Sequence, residues 1–225
     1  MDPFDAAQQE AGGLQKAGLW REALELLDAL EPPLPFRAQQ MRGRSLWRLS
    51  RIPEAEEAFR AALAAAESAA DREQQAAAYM SVGACLFEQS RFLDAAESLQ
   101  RSLSFFDGRD CDGLANAFNW LAQTYHHMDL YDMAAAAFAR GLEIAIAIGN
   151  KEIEAYLRSN SGLMQMAMGD NAAAEVSFRK ALDLDREIGN PYGTADTLSN
   201  IGIALHASGR FEEAESWLRA GAVAH

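Results

Sequence analysis

Six copies of a short turn-and-alanine segment run through the chain in near-constant register, and no other feature restricts its fold as strongly. They are Gly18-Leu19-Trp20-Arg21-Glu22-Ala23, Ser50-Arg51-Ile52-Pro53-Glu54-Ala55, Ser90-Arg91-Phe92-Leu93-Asp94-Ala95, Asp129-Leu130-Tyr131-Asp132-Met133-Ala134, Gly169-Asp170-Asn171-Ala172-Ala173-Ala174 and Gly209-Arg210-Phe211-Glu212-Glu213-Ala214. Their final alanines follow one another at intervals of 32, 40, 39, 40 and 40 residues. A fixed period of this length across a whole chain is the mark of stacked repeats.

Other positions keep the same register. Twelve residues before each alanine stands a small residue: Ala11, Gly43, Gly83, Ala122, Gly162 and Gly202. Four residues after it stands a large apolar one: Leu27, Phe59, Leu99, Phe138, Phe178 and Leu218. Spacings of three, four and seven put such residues on one face of a helix. A small residue on a first helix lets a second approach closely, and the large residue fills the space above it. Gly, Ser or Asp at the turn tolerates a left-handed backbone or caps the next helix. Alanine, about a fifth of the chain, favours helix throughout. No period-two run bounded by turn signals points to a strand.

This register resembles the tetratricopeptide repeat over about residues 4–225, and Leu198, Ile201-Gly202, Leu205, Ala214 and Leu218 match it most cleanly. Repeats near 40 residues are similar to the long repeats of kinesin light chains and bacterial tetratricopeptide regulators. The resemblance implies an all-α, right-handed α-solenoid of about six helical hairpins, about 12 helices in all. It is expected as one domain over 1–225, with repeats at about 4–35, 36–75, 76–114, 115–154, 155–194 and 195–225. The residues beyond the common 34-residue repeat lie around Ala69–Gln75, Asp107–Gly113, Ile148–Ile153 and Ile188–Gly193. They are expected to lengthen the second helix of each hairpin by about a turn and a half.

In such repeats the first helices line a concave wall, so the resemblance also implies a set of groove residues. These are Arg37, Gln40, Met41, Arg44, Trp47 and Arg48 in the second repeat, and Met80, Ser81, Ala84, Phe87 and Glu88 in the third. The fourth adds Asn116, Asn119, Trp120, Gln123, His126 and His127. The fifth adds Tyr156, Ser159, Asn160, Leu163 and Met166, and the sixth Asp196, Ser199, Asn200, Ile203 and His206. Asn160 and Asn200 match the family asparagine, whose amide either pairs with the backbone of an extended ligand or bonds within the repeat. Trp47, Phe87, Trp120, Tyr156 and Met166 are large anchors on an otherwise polar wall if exposed, and core residues if the register slips by one.

Arg37, Arg42, Arg44, Arg48 and Arg51 cluster in an N-terminal segment that is neutral as a whole, with seven basic and seven acidic residues over 1–52. The favoured reading is internal pairing with Glu and Asp; the alternative is an anion or carboxylate hook at one end of the groove. The lysine-rich carboxylate clamp of chaperone-binding relatives is not reproduced, because Gln8 and Gly12 occupy the matching positions.

Residues 53–225 carry 13 basic against 26 acidic side chains, the whole of the net charge of −13. An acidic body repels phosphate backbones and anionic lipid, so no nucleic-acid or membrane partner is expected. The acidic start Met1-Asp2-Pro3-Phe4-Asp5 lacks the apolar run of a secretory signal. Cys85 and Cys111 form no Cys-x-x-Cys pair, which fits a reducing, cytoplasmic setting, and Cys85 reads as an inert buried thiol. His126, His127, His206 and His225 offer no metal pair at helical spacing, and no cofactor is expected. Phosphate loops, serine elbows and zinc-protease motifs are missing, so no catalytic residue is assigned. Seventeen arginines against three lysines point to a GC-rich bacterial genome.

The expected function is a non-catalytic scaffold or adaptor that binds a protein or peptide segment in the concave groove. The alternative is a sensor module that binds a signalling peptide or small ligand and regulates a separate effector. The second helix of the last repeat leaves Trp217, Leu218 and Val223 uncovered, to be covered by self-association as a homodimer or by residues outside this sequence.

Overall fold

The computed structural model describes residues 3–106 and 108–224, with the side chains of Pro3 and Ala224 left aside. Met1, Asp2, Asp107 and His225, which enter the readings of the chain start, of one joint and of the histidine set, lie outside the described residues. Twelve helices and no strand are found among the described residues. They divide between two compact units, residues 1–108 and 109–225.

Unit 1 holds α1 (Pro3–Lys16), α2 (Trp20–Asp28), α3 (Phe36–Arg48), α4 (Ile52–Ser68), α5 (Arg72–Glu88) and α6 (Phe92–Ser104). Unit 2 holds α7 (Asp112–His127), α8 (Tyr131–Ala147), α9 (Lys151–Ala167), α10 (Asn171–Ile188), α11 (Pro191–Ala207) and α12 (Phe211–Ala224). Each consecutive pair packs as a hairpin. Within each unit the hairpins stack through first-helix contacts (α1 on α3, α3 on α5; α7 on α9, α9 on α11) and through α2 on α3, α4 on α5, α8 on α9 and α10 on α11. α2 is only nine residues long and is followed by Pro32, Pro33 and Pro35, which accounts for the single short interval of the repeat.

One turn closes all six hairpins. Its central residue lies in the left-handed region, with φ of 77° at Gly18, 59° at Ser50 and Ser90, 58° at Asp129, 83° at Gly169 and 78° at Gly209. The next N–H then reaches back five residues, as Arg51 N does to Leu46 O at 2.9 Å and Leu130 N to Tyr125 O at 2.9 Å. This bond satisfies a carbonyl that the helix end would otherwise leave bare.

Within a hairpin the small-over-large register works by steric fit. A Cβ placed on Gly162 would lie 2.6 Å from Phe178, one on Gly43 2.5 Å from Phe59, and one on Gly83 2.7 Å from Leu99. Phe178, Phe138 and Leu99 are almost entirely buried, as are the repeat alanines Ala55, Ala95, Ala134 and Ala174. Ser102 Oγ and Ser98 Oγ also tie α6 to α5, donating to Ala76 O at 2.7 Å and Tyr79 O at 2.8 Å.

The extra residues of the long repeats are not all in the second helices. Arg72–Gln75, Lys151–Ile153 and Pro191–Gly193 open the first helices of the next hairpins instead. Asp71, Asn150 and Asn190 stop the preceding chain and cap these helices, accepting from Gln74 N at 3.0 Å, Ile153 N at 3.1 Å and Gly193 N at 3.0 Å. A first helix extended by a turn at its N-terminus carries additional side chains to its exposed face.

Candidate functional site

In unit 2, α9 and α11 present two parallel faces that enclose a cleft of about 330 Å³. Tyr156, Ser159, Asn160 and Leu163 line it from α9, and Tyr192, Asp196, Ser199 and Asn200 from α11. Helical spacing explains each set, since steps of three, four and seven return to one face. Tyr156 is 59% exposed and Tyr192 76%, while Leu163 on the same rim is also exposed.

The floor of the cleft is a hydrogen-bonded lattice. Asp185, on the buried side of α10, accepts from Asn190 Nδ2 at 2.9 Å and Thr197 Oγ1 at 3.2 Å. Burial pushes the Asp185 carboxyl above its ordinary value, and the two donated bonds only partly oppose that. Gly193 is required here, because a Cβ would lie 2.4 Å from Asp185 Oδ1. Asn160 Nδ2 donates to Asn119 Oδ1 of α7 at 3.0 Å, so one end of this amide is engaged within the fold. The Asn200 side chain makes no hydrogen bond among the described residues, and its donors and acceptor stay available to a ligand.

The other groove residues of unit 2 are used differently. Asn119 is buried beneath Asn160, Gln123 Nε2 reaches back to Asn119 O at 3.4 Å, and Asn116 and Trp120 are half-buried on α7. His126 lies between His127 and Tyr131, with ring centroids 5.5 and 6.0 Å away, and burial first, His127 second, hold its pKa below the usual imidazole value. His206 meets Phe211 edge-on at 5.0 Å.

Phe87 of unit 1 repeats this arrangement with Phe92 at 5.7 Å. Each of these side chains stands five residues before its partner, and the left-handed turn between them folds the second helix back onto the first. Trp47 and Phe87 pack against the core cluster around Leu46 and Phe59, and Met166 against that around Phe178 and Leu205. Of the five expected anchors, Tyr156 is therefore the exposed one, while Trp47, Phe87, Trp120 and Met166 are half-buried. Trp217 differs from expectation as well: it packs against the same cluster as Met166, with the Arg179 guanidinium 4.9 Å from its ring centroid. Leu218 and Val223 are exposed as expected.

The arginines of unit 1 split into two groups. Arg42 pairs with Asp28 at 2.5 Å, Arg51 pairs with Glu54, and Arg48 lies over the Trp20 ring at 5.2 Å. Arg37 and Arg44 are exposed and form no ion pair among the described residues. Tyr192 lies outside the expected groove, because a lengthened second helix would include its segment; the Asn190-Pro191 start is the signal that places it one turn before Asp196. Burial raises the Cys85 thiol to about 12, with Glu56 and Glu88 adding to the effect, which fits an inert thiol. No group of three or more potential metal ligands is found among the described residues, and no described helix is long and apolar enough to cross a membrane.

Stacked antiparallel hairpins with a small-over-large seam and a polar first-helix face define a helical repeat protein. The chain belongs to the tetratricopeptide repeat family, whose profiles match residues 36–108, 152–221 and 115–145. No curated protein matches it in sequence. Among solved structures it is similar to BtubC (BKLC) from P. vanneervenii, with 18% identity and a TM-score of 0.74 over 98% of this chain and 89% of that one. It is also similar to a Rap protein complexed with competence and sporulation factor, with 15% identity, a TM-score of 0.81 and coverage of 91% and 58%. A third is a signal-transduction ATPase with a tetratricopeptide repeat sensor from Pyrococcus horikoshii, with 18% identity, a TM-score of 0.77 and coverage of 96% and 34%. At these identities the likeness is one of fold. The chain spans little more than half of the Rap protein and about a third of the ATPase.

Proposed function

We propose that the chain is a non-catalytic protein-interaction module that holds a peptide segment of a partner against the α9–α11 face. The observation that carries this reading is the unpartnered Asn200 amide in the same cleft as two exposed tyrosines, over a floor fixed by Asp185. Asn200, with the free end of Asn160, pairs with the peptide backbone, while Tyr156, Leu163 and Tyr192 take its side chains. The phenol rings give large contact areas at small entropic cost. The test is selection of binders from a displayed random-peptide library, followed by affinity measurement on variants. Asn200→Ala and Tyr156→Ala are each expected to weaken selected peptides by about tenfold. Peptides that bind both variants like the original chain would move the contact to another surface.

The likeness to the Rap complex and to a repeat sensor favours a second reading, in which the same cleft senses a signalling peptide and acts on a separate effector. A ligand-dependent change in radius of gyration separates sensor from rigid scaffold. We read the protein as bacterial and cytoplasmic, on its arginine-rich composition and two unpaired cysteines. Self-association through the exposed Leu218 and Val223 of α12 belongs to the same proposal; a monomer at high concentration in sedimentation equilibrium removes it.

A further inference from the structure

One arrangement of charges joins second helices of successive hairpins, and it recurs in both units. In unit 1, Glu56 of α4 pairs with Arg60 of the same helix at 2.7 Å and accepts from Gln89, at the end of α5, at 2.7 Å. It also pairs with Arg91, at the start of α6, at 3.5 Å. In unit 2, Glu175 of α10 pairs with Arg179 of the same helix at 2.7 Å and with Arg210, at the start of α12, at 2.6 Å. Each distant arginine stands 35 residues beyond its glutamate and is held a second time by an acid three residues on, Asp94 at 2.7 Å or Glu213 at 2.6 Å. α4 and α6, like α10 and α12, have no backbone contact, so these long side chains bridge them. The two glutamates are largely withdrawn from water, with side chains 11% and 16% exposed. Parting the helices would strip each carboxylate of its cross-helix arginine, and a carboxylate so placed is destabilising when its partner is removed.

Between α8 and α10 the same four positions hold other residues. Ala135 stands for the glutamate, Ala139 for the arginine of its helix, Asp170 for the distant arginine and Ala173 for its acid. Among the described residues, no side chain of α8 makes a hydrogen bond or ion pair to α9 or α10, and Arg140 pairs with Glu143 of its own helix. α8 also packs less extensively on α9 than α4 does on α5 or α10 on α11. The polar ties of this joint lie on the first helices instead. Asn160 Nδ2 donates to Asn119 Oδ1 and Asn150 Nδ2 to Asp112 Oδ1, both at 3.0 Å, so α9 is fastened to α7 while α8 is not fastened to α10.

We propose that the joint between the α7–α8 and α9–α10 hairpins is a hinge built into unit 2. It pivots on the α7–α9 ties while α8 swings relative to α10, and the clamped α9–α10 and α11–α12 hairpins turn as one piece. Packed helices that meet through methyl groups slide past one another by small steps, whereas helices bridged by a sheltered ion pair must first give that pair up. The clamped piece carries the α9–α11 cleft. Bending at the joint therefore redirects α7 beside the cleft and leaves the cleft's own walls in place. A movement of this kind is what the sensing reading above requires, but the hinge rests on no ligand and its test uses none, so either can fail without the other.

The experiment is double electron–electron resonance on the full chain, with nitroxide pairs at matching outer positions two residues after the repeat alanine. Ala136→Cys with Val176→Cys reports the open joint, and Glu57→Cys with Glu97→Cys the clamped one; all four positions are exposed. Cys111→Ser removes the accessible native thiol, and Cys85 is buried. The distance distribution is expected to be about twice as wide across the open joint as across the clamped one. Ala135→Glu, Asp170→Arg and Ala173→Glu together install the clamp and are expected to narrow the open joint to the width of the other. Arg51 and Arg91 occupy the place of Asp170 in their own hairpins without a capping bond, so this variant is expected to fold, which its helical circular dichroism checks. Arg91→Gln is expected to widen the Glu57–Glu97 distribution. Equal widths across the two joints of the original chain overturn the proposal. An open joint that stays wide in the folded clamp variant, or a clamped joint that Arg91→Gln leaves narrow, shows that the charges do not set the bending and overturns it as well.

Discussion

Ala70 carries a φ of 52° in the joint between α4 and α5, the place that Gly149 and Gly189 fill in unit 2. Its Cβ is strained there without a side-chain hydrogen bond in return, unlike an Asn or Asp. Ala70→Gly is expected to stabilise the fold by about 0.5–1 kcal/mol, the relief of strain exceeding the added freedom of the unfolded chain. A rise in melting temperature checks this. Asp185 makes a second case. Its folded pKa lies above its ordinary value of 3.8, so the folded state binds the proton more tightly than the unfolded chain. Stability from this group is therefore fully present below the unfolded pKa and is lost as pH rises through the folded one. Asp185→Asn cannot ionise and lacks that dependence. The melting temperature of the original chain relative to this variant is expected to rise on going from about pH 7 to about pH 4; a constant difference would show that the carboxylate is not held up by burial.

Among the helices, the glycines divide by what stands opposite them. Gly162 faces the buried Phe178 ring, and Gly162→Ala is expected to cost about 1–3 kcal/mol in chemical denaturation. Gly13, inside α1, has nothing within 4 Å of an added Cβ, and Gly13→Ala is expected to stabilise by up to about 1 kcal/mol. Equal effects from the two would break the steric account of the seam. This seam was legible from sequence, because Gly162 and Phe178 sit at fixed offsets from Ala174, and so was the turn at Gly169. Two things were not legible. The pairing of Phe87 with Phe92, or of His206 with Phe211, spans a left-handed turn, and no helical face relates residues five apart across such a break. Helix starts at Arg72, Lys151 and Pro191 depend on single caps, so the segment of Tyr192 is expected in a lengthened second helix, whereas Tyr156, Asn160 and Asn200 lie inside helices at regular spacing and line one cleft.

At the scale of the whole molecule, helices within a unit touch only those one or two places away in the chain. Stability is then close to a sum of hairpins and the contacts between neighbours. α12 packs only on α11, and the α1–α2 hairpin only on α3, whereas α9–α10 has neighbours on both sides. Amide hydrogen exchange is expected to be fastest in α12 and α1–α2 and slowest in α9–α10 and α3–α4; uniform protection would show that the chain opens all at once. The joints described above have another consequence. Gly149-Asn150 and Gly189-Asn190 are the same splice: each glycine has φ near 70°, and each asparagine caps the helix that follows. The stretch between them, one hairpin with its cleft-facing tyrosine and asparagine, is thus a cassette bounded by interchangeable ends. Duplicating or excising it would change the number of stacked first helices in whole steps, so a lineage of such chains can lengthen or shorten the face proposed for a peptide without inventing a new turn.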